Sequence, residues 1–221
     1  MTFRFSTEGT DFDFRCQQAI RLALPGVDDP WGAVRTFSLS SSPTERGFLS
    51  VTCKITDTPF KQALAALQPG APAQAYGPIG AFLLDESRPA VFLAGGIGIS
   101  PFRGMLTYAR DRSLPGPFRL LYSARTPEEL VFRGELEALK GQLPDLRVEY
   151  AITRPADSRE PWPGRVQRID AAWIRDSLAG LDRPMFYVVG LPEMAASTIG
   201  LLQRELGISE ADIDYEVFRG F

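Results

Sequence analysis

Short segments in which apolar and polar residues alternate fill the first part of the chain. Clusters of Gly, Pro and Ser separate these segments, and this spacing is typical of antiparallel strands in a sandwich or a barrel. Residues 60–67 differ, because their apolar positions fit a short helix that Pro69 and Gly70 would end. The predicted strands cover residues 3–5, 19–24, 36–40, 49–55 and 73–76.

The pattern changes at Pro89. An apolar run over residues 90–96 leads into a helical pattern over residues 101–112, and strands and helices alternate from there on. Such alternation predicts βαβ units around a parallel sheet. We therefore predict an antiparallel all-β domain over residues 1–87 and an α/β domain over residues 88–221. The further predicted strands are 118–122, 147–153 and 185–190, and the further helices are 127–142, 170–179 and 193–206.

The composition excludes several classes of chemistry. The 221 residues include no His, which removes Ser-His-Asp catalysis and the usual zinc and haem ligands. Cys16 and Cys53 are too few for an iron–sulfur cluster held by about four thiolates or for a structural zinc site. We therefore predict no metal site, and the formal charge of -3 argues against a nucleic-acid partner.

The N-terminus and the hydropathy bear on localisation. No basic start followed by an apolar stretch occurs in MTFRFSTEGTDFDF, so no secretory signal is predicted. No run approaches the ~20 apolar residues of a membrane span. These features predict a cytoplasmic protein with free thiols.

A glycine-rich turn follows the first predicted parallel strand and precedes a helix, in Ala94-Gly95-Gly96-Ile97-Gly98-Ile99-Ser100-Pro101-Phe102. Its glycines would let backbone amides approach an anion, and the helix N-terminus adds partial positive charge. The turn therefore fits a phosphate-bearing nucleotide, although a tight turn without a ligand is the alternative. Its spacing departs from the GxGxxG fingerprint of dinucleotide sites.

Two further segments carry candidate binding groups. An Arg, an aromatic ring and hydroxyls occupy adjacent strand positions in Arg35-Thr36-Phe37-Ser38, where they could bind a phosphate and the face and edge of a flat ring. An ordinary strand followed by a serine turn is the alternative. The chain ends in Tyr215-Glu216-Val217-Phe218-Arg219-Gly220-Phe221, and a terminal aromatic residue is more often part of a frayed or packed tail than a functional group.

These segments resemble, in chain order, the motifs of the ferredoxin–NADP reductase family. Arg35-Thr36-Phe37-Ser38 is similar to the flavin motif Arg-x-Tyr-Ser, with Phe37 in place of Tyr, and the turn from Gly95 to Pro101 resembles the nicotinamide-nucleotide motif. The segment Val189-Gly190-Leu191-Pro192-Glu193-Met194 is similar to the family motif Cys-Gly-Pro-Pro-x-Met. The tail resembles the Glu-x-Phe-x-Gly-Tyr ending of bacterial members. Two further matches are Gly77-Pro78-Ile79-Gly80-Ala81-Phe82 and the segment from Tyr122 to Leu130.

The resemblance implies an N-terminal antiparallel flavin-binding β-barrel, a parallel-sheet nucleotide-binding α/β domain, and a flavin ring at their junction. Arg35 would neutralise the flavin phosphate, and Ser38 would hydrogen-bond the flavin edge near N5, where hydride arrives. Phe37 would pack on one face of the ring, and Phe221 would shield the other face until nicotinamide displaces it. Glu216 would relay protons, so the implied catalytic residues are Ser38, Glu216 and Phe221.

The resemblance also implies contacts to the phosphates and to the nucleotide. The helix that begins near Phe60 would point its amides at the pyrophosphate, with Lys61 as an added cation. Ser123 and Arg125 would lie near the adenosine ribose or a 2′-phosphate. The implied cofactor-binding residues are Arg35, Thr36, Phe37, Ser38, Phe60, Lys61, Gly77, Gly95, Gly96, Gly98, Ser100, Pro101, Ser123, Arg125, Gly190, Pro192 and Met194.

The implied activity is transfer of hydride from NAD(P)H to FAD, followed by single electrons to a separate acceptor such as a ferredoxin or a flavodoxin. The resemblance favours FAD over FMN, and Arg125 favours NADPH over NADH. One alternative is a flavin subunit that docks on a partner enzyme and has little reductase activity of its own. A second alternative is a scaffold of the same fold without flavin, because Gln17, Ala19 and the short N-terminus would loosen the barrel or weaken flavin retention.

Overall fold

Five strands and one helix form the first part of the chain in the computed structural model, which describes residues 1–16 and 18–219. In chain order they are β1 (Thr2–Ser6), β2 (Ala19–Ala23), β3 (Val34–Ser38), β4 (Phe48–Thr52), α1 (Pro59–Ala66) and β5 (Gln74–Ile79). β1 pairs with β4, β2 lies between β3 and β5, and all of these pairs are antiparallel. A bridge between Leu39 and Val51 joins the two sheets.

The antiparallel strands close around their own apolar core. Alternate positions of β2 and β3 point inward, so Ile20, Leu22 and Phe37 are buried. Phe60 and Leu64 on one face of α1 are fully buried in the same cluster. Burial of each large apolar side chain contributes about 1.5–3 kcal/mol, so α1 is held by this face against the sheets.

A five-stranded parallel sheet forms the second part of the chain. Its elements are β6 (Ala90–Gly95), α2 (Ile99–Asp111), β7 (Phe118–Ala124), α3 (Arg133–Lys140), β8 (Leu146–Ile152), α4 (Ala171–Ser177), β9 (Met185–Gly190), α5 (Pro192–Arg204) and β10 (Ile213–Val217). The strand order is β10-β9-β6-β7-β8, and every neighbouring pair is parallel. The predicted fold class, antiparallel sheets followed by an α/β unit, is confirmed.

The central strand β6 is buried on both faces. Phe92 packs into one apolar cluster, and its neighbours Val91 and Leu93 pack into the cluster on the opposite face. A strand covered on both faces needs apolar residues at consecutive positions, which explains the unbroken apolar run in the sequence. β6 therefore provides a rigid base for the turn that follows it.

Two predicted segments differ from the structure. The helix predicted over residues 127–142 is a 3-10 turn at Pro127–Glu129 followed by the shorter α3, because Phe132 adopts a left-handed φ of 63° that interrupts the helix. The segment interpreted as a tail includes β10, which pairs in parallel with β9. The strand has no continuous apolar run, because exposed Tyr215 and half-buried Glu216 occupy two of its positions. The apolar pattern therefore does not predict it.

The two parts of the chain contact each other through buried rings and polar bonds. The ring of Phe82 packs edge-on against Tyr187 at 5.7 Å, and the Tyr187 hydroxyl accepts a 2.7 Å hydrogen bond from the Asp85 N–H. Arg103 on α2 forms ion pairs with Glu45 and Glu135. In the described parts of the chain, no helix has both the length and the apolar character needed to cross a membrane.

Candidate functional site

A cleft of about 420 Å³ opens where β3 and β4 meet the end of β10 and the turn after β6. β3 is an edge strand, so one side of its backbone is not covered by a neighbouring strand of its sheet. Side chains from both faces of β3 therefore reach the cleft. The lining residues are Trp31, Val34, Arg35, Thr36, Phe37, Ser38, Thr52, Cys53, Lys54, Lys61, Ile97, Ser100, Glu216, Val217, Phe218 and Arg219.

Ser38 and Glu216 both line this cleft and contact each other, although 178 positions separate them in sequence. The Ser38 hydroxyl donates a 2.6 Å hydrogen bond to Glu216 Oε2. Burial raises the pKa of the Glu216 carboxyl, the hydrogen bond from Ser38 opposes this rise, and the charge of Asp214 adds to it. The structure thus joins two of the predicted catalytic residues in one contact, and the third, Phe221, lies outside the described residues.

The two cations that were predicted to bind the flavin phosphate have different surroundings in the structure. Arg35 is buried and pairs with Asp29 at 2.6 Å. Lys61 is buried and places its ammonium 4.8 Å from the centre of the Phe37 ring. Phe60 is fully buried in the core, and its N–H donates to Asp29 rather than facing the cleft.

Three predicted nucleotide-site residues lie together at the carboxyl edge of the parallel sheet. Gly95 at the end of β6 pairs in register with Ser123 of β7, and Gly190 ends β9 on the other side. The chain runs outward from β6 through β7 and β8, then returns to the opposite side of β6 with β9. Ligands of open α/β sheets bind at this reversal point, so the topology indicates a ligand site here independently of the glycine motif.

Glycine occupies the positions at this edge of the sheet for different structural reasons. A Cβ on Gly98 would lie 2.2 Å from the Val189 carbonyl oxygen, so the turn needs glycine to pack against the end of β9. A Cβ on Gly190 would lie 2.6 Å from the sulfur of Met194, which also fills the space beside Gly95. Gly96 has a φ of +54° and open space around its Cα. Close packing against backbone atoms explains Gly98 and backbone conformation explains Gly96, whereas the contact at Gly190 is with the flexible Met194 side chain.

The other predicted residues are dispersed. Ser100 is 1% exposed yet lines the cleft, and Pro101 beside it is buried. Pro192 is exposed in the first turn of α5, and Arg125 is exposed after β7. Gly77 lies in β5, on the far side of β2 from the cleft wall.

The alternative without flavin depends in part on Gln17 and Ala19. Ala19 is buried in β2, whereas Gln17 lies outside the described residues.

Several cleft residues carry no clear signal in the sequence. Trp31 comes from a loop that has only the pattern of a turn, and Cys53 and Lys54 follow β4. The same loop contains Asp29, which pairs with the cleft residue Arg35. The Asp-x-x-Gly spacing before Arg35 was the available signal, because Asp side chains commonly cap turns and helix N-termini.

Comparison with known proteins identifies the family. A family model for the oxidoreductase NAD-binding domain matches residues 92–199. Ferredoxin–NADP reductase B of Sorangium cellulosum (strain So ce56) is 32% identical over 219 residues, covering 95% of this chain and 87% of that relative. The chain belongs to the ferredoxin–NADP reductase family.

Other relatives of this reductase family are longer. The toluate 1,2-dioxygenase electron transfer component of Pseudomonas putida is 28% identical over 203 residues, and the chain spans 57% of its length. The Amycolatopsis cytochrome P450 reductase GcoB superposes with a TM-score of 0.82 and 22% identity, over 98% of this chain and 64% of that chain. This last likeness concerns the fold alone.

Membership of the ferredoxin–NADP reductase family makes the protein an NAD(P)H-dependent flavoprotein reductase. The volume of the cleft, about 420 Å³, falls in the range of about 300–1,000 Å³ typical of small-molecule sites. The cleft also offers a buried ammonium at Lys61 and an Arg35 Nε with no hydrogen-bond partner among the described residues. Both groups are suited to an anionic phosphate.

Proposed function

We propose that the chain takes hydride from NADPH or NADH onto a bound FAD and passes single electrons to a separate acceptor protein of the ferredoxin or flavodoxin type. A bound flavin supplies the switch from two-electron to one-electron transfer. The observation that carries the proposal is the Ser38–Glu216 contact inside a cleft bounded by both halves of the chain. We also propose that the chain divides at residues 87 and 88.

The flavin side of the site consists of the β3 wall and the cations beside it. Thr36 and Ser38 offer hydroxyls, and Phe37 provides an apolar surface between them. Phe218 and Arg219 line the opposite wall. We assign Phe221 to the nicotinamide face of the flavin, as the family resemblance implies.

The nicotinamide nucleotide is assigned to the carboxyl edge of the parallel sheet. Gly95 and Gly96 are half-buried, so their backbone is partly accessible there, while Ser123 and Arg125 lie at the end of β7. An Arg at this end suits the 2′-phosphate of NADPH. Arg125→Ala is expected to weaken NADPH binding about fivefold and to leave NADH binding unchanged, since an exposed charge contact contributes up to about 1 kcal/mol.

Ser38 and Glu216 are assigned to proton handling. Burial raises the pKa of Glu216, so its carboxyl is suited to hold a proton while Oε2 accepts the hydrogen bond from the Ser38 hydroxyl. Glu216→Gln is expected to slow electron transfer on the order of 100-fold, the lower end for a positioned proton donor. Exposed Glu210, in the turn before β10, is the matched control, and Glu210→Gln should keep the wild-type rate.

The test is the visible absorption spectrum of the purified protein under anaerobic conditions, before and after addition of NADPH or NADH. Yellow protein that bleaches rapidly and then reduces a ferredoxin or flavodoxin supports the proposal. Yellow protein that stays oxidised contradicts it and favours the partner-docked subunit. Colourless protein that takes up no added flavin contradicts the assignment of flavin chemistry to this chain.

A further inference from the structure

The segment between β8 and α4, the β8–α4 loop (residues 153–170), leaves the parallel sheet at its carboxyl edge. Two main-chain hydrogen bonds attach the start of this loop to the end of β7. The Thr153 N–H donates to the Ala124 carbonyl oxygen at 2.9 Å, and the Arg154 N–H donates to the Arg125 carbonyl oxygen at 2.8 Å. The position of Arg125, which is assigned above to the 2′-phosphate of NADPH, therefore depends on the position of the loop.

One side chain, Glu128 in the 3-10 turn after β7, holds the middle of the loop. Its Oε1 and Oε2 accept hydrogen bonds from the Ser158 hydroxyl at 2.9 and 3.0 Å. Oε1 also accepts a hydrogen bond from the Arg159 N–H at 3.1 Å. Among the described residues, no other hydrogen bond or ion pair from outside the loop reaches residues 155–160. Glu128 is therefore the polar attachment of the first half of the loop.

The second half of the loop has supports of its own. The Trp162 indole N–H donates to the Arg165 carbonyl oxygen at 2.9 Å, and the Arg133 guanidinium carbon lies 5.2 Å from the centre of the Trp162 ring. The Arg165 carbonyl oxygen also accepts a 3.0 Å hydrogen bond from the Ile152 N–H of β8. Loss of the Glu128 contacts is therefore expected to release the first half of the loop and to leave the second half in place.

The Glu128 carboxyl is ionised at neutral pH. Hydrogen bonds from its own N–H, from the Thr126 hydroxyl and from the Ser158 hydroxyl lower its pKa to about 2. An ionised carboxylate has only acceptor sites, which is the form that the Ser158 hydroxyl and the Arg159 N–H require. The contacts between Glu128 and the loop are therefore intact at neutral pH.

Three arginines in the segments that meet here carry positive charge without a carboxylate partner. Arg125, Arg154 and Arg159 are exposed, and none of them forms an ion pair with another described residue. Arg165, farther along the loop, differs because it pairs with Glu149 at 3.6 Å. Guanidinium groups bind phosphate through planar, bidentate contacts, so this end of the sheet suits a phosphate-bearing ligand.

We propose that Glu128 is a positioning residue that sets the preference for NADPH over NADH, because it holds the β8–α4 loop, and with it Arg125 and Arg154, beside the 2′-phosphate. This inference rests on the proposed function, which assigns the nicotinamide nucleotide to this edge of the sheet. A carboxylate repels a phosphate, so by charge alone the removal of Glu128 would tighten NADPH binding. Weaker binding after its removal would instead show that Glu128 acts through the loop.

The experiment measures kcat and KM of the full, flavin-containing chain for NADPH and for NADH, with ferricyanide as the electron acceptor. Glu128→Ala is expected to raise the KM of NADPH about fivefold, the range for an exposed charge contact, and to change the KM of NADH and both kcat values less than about twofold. Glu128→Gln keeps an amide oxygen as an acceptor and should restore most of the wild-type KM.

A binding measurement that requires no turnover accompanies the kinetics. Isothermal titration calorimetry gives the dissociation constants of adenosine 2′,5′-bisphosphate and of 5′-AMP, which lacks the 2′-phosphate. The ratio of the two constants reports recognition of the 2′-phosphate. Glu128→Ala should lower the preference for the bisphosphate about fivefold, while the dissociation constant of 5′-AMP stays within about twofold of the wild-type value.

The matched control is Glu160→Ala, which removes an exposed carboxylate from the same loop. Glu160 contacts Ser158 only through its main chain, so the KM of NADPH should stay the same or fall. Ser158→Ala removes one partner of Glu128 and should raise the KM of NADPH about twofold in the wild-type background, with no further rise in the Glu128→Ala background.

A KM of NADPH that is unchanged or lower in Glu128→Ala would overturn the inference, and so would an equal rise in the KM of NADH. Wild-type protein without a preference for the 2′-phosphate would overturn it as well, because Glu128 would then have no preference to set. Protein whose flavin is reduced by neither nucleotide would instead overturn the proposed function. The two failures are distinguishable, because calorimetry detects nucleotide binding without electron transfer.

Discussion

Gly98 lies where the turn after β6 meets the end of β9, and substitution by Ala tests whether this glycine serves packing. The added Cβ would lie 2.2 Å from the Val189 oxygen and 2.6 Å from its carbonyl carbon. Close carbon–oxygen contacts in proteins are about 3.3 Å, so the two groups would be about 1 Å too close. Both contacts are with backbone atoms, and no rotamer change can relieve them.

The cost follows from what must move. Val189 pairs with Ala94 of β6 on one side and with Glu216 of β10 on the other, so displacing it strains the centre of the sheet. Overpacking of this kind costs about 1–3 kcal/mol. For a protein of about this size each kcal/mol lowers the melting temperature by about 2–4 °C, which gives an expected decrease of about 2–12 °C for Gly98→Ala.

The assay is thermal unfolding followed by circular dichroism, with Gly134→Ala as the control. Gly134 lies in the first turn of α3 with nothing within 4 Å of its missing Cβ, and Ala there should keep or raise stability by up to about 1 kcal/mol. Gly95→Ala meets only the flexible Met194 side chain at 3.0 Å and should cost less than Gly98→Ala. Equal melting temperatures for Gly98→Ala and Gly134→Ala would refute the packing argument.

Three further predictions concern contacts between distant parts of the chain. Because the pKa of Glu216 is raised in the folded state, its contribution to stability is present below the ordinary value of 4.5 and is lost as the pH rises through the raised pKa. Glu216→Gln should therefore stabilise the protein against urea more at about pH 7.5 than at about pH 4; an equal effect at both values would contradict this. Tyr187→Phe leaves the Asp85 N–H without its acceptor and should cost about 1–3 kcal/mol in the same unfolding assay, and an unchanged midpoint would contradict it. Arg103→Met separates α2 from Glu45 and should cost about 1.5–3 kcal/mol at low salt, whereas a loss that did not shrink at high salt would argue against an ionic contribution.

The elements that sequence predicted best are those whose environment is uniform along the element. β9 was predicted over residues 185–190 and extends over Met185–Gly190, because a strand buried on both faces needs the continuous apolar run that identifies it. The helix predicted over residues 127–142 shows where this reasoning stops. The left-handed φ of Phe132 shortens it to α3, and no propensity rule predicts that conformation for a Phe.

The candidate site was predictable to the extent that its residues belong to local motifs. The segment around Ser38 and the tail around Glu216 each resemble a motif of the family, and the resemblance links both to one cofactor. Their hydrogen bond depends on the pairing of β10 with β9, which composition gave no reason to expect. Similarly, the glycines near Gly98 indicated a turn, but only the packing distances distinguish a glycine required by the chain from one available to a ligand.

Asp29 shows most clearly why charge cannot be assigned from sequence alone. A motif identifies Arg35 as a cation, yet the charge that a ligand meets depends on counterions that the fold brings near it. The partners of Asp29 are 6 positions away at Arg35 and 31 positions away at Phe60, so no local window contains the arrangement. Lys61, implied by the resemblance as an added cation, is buried against the Phe37 ring, and no carboxylate pairs with it among the described residues.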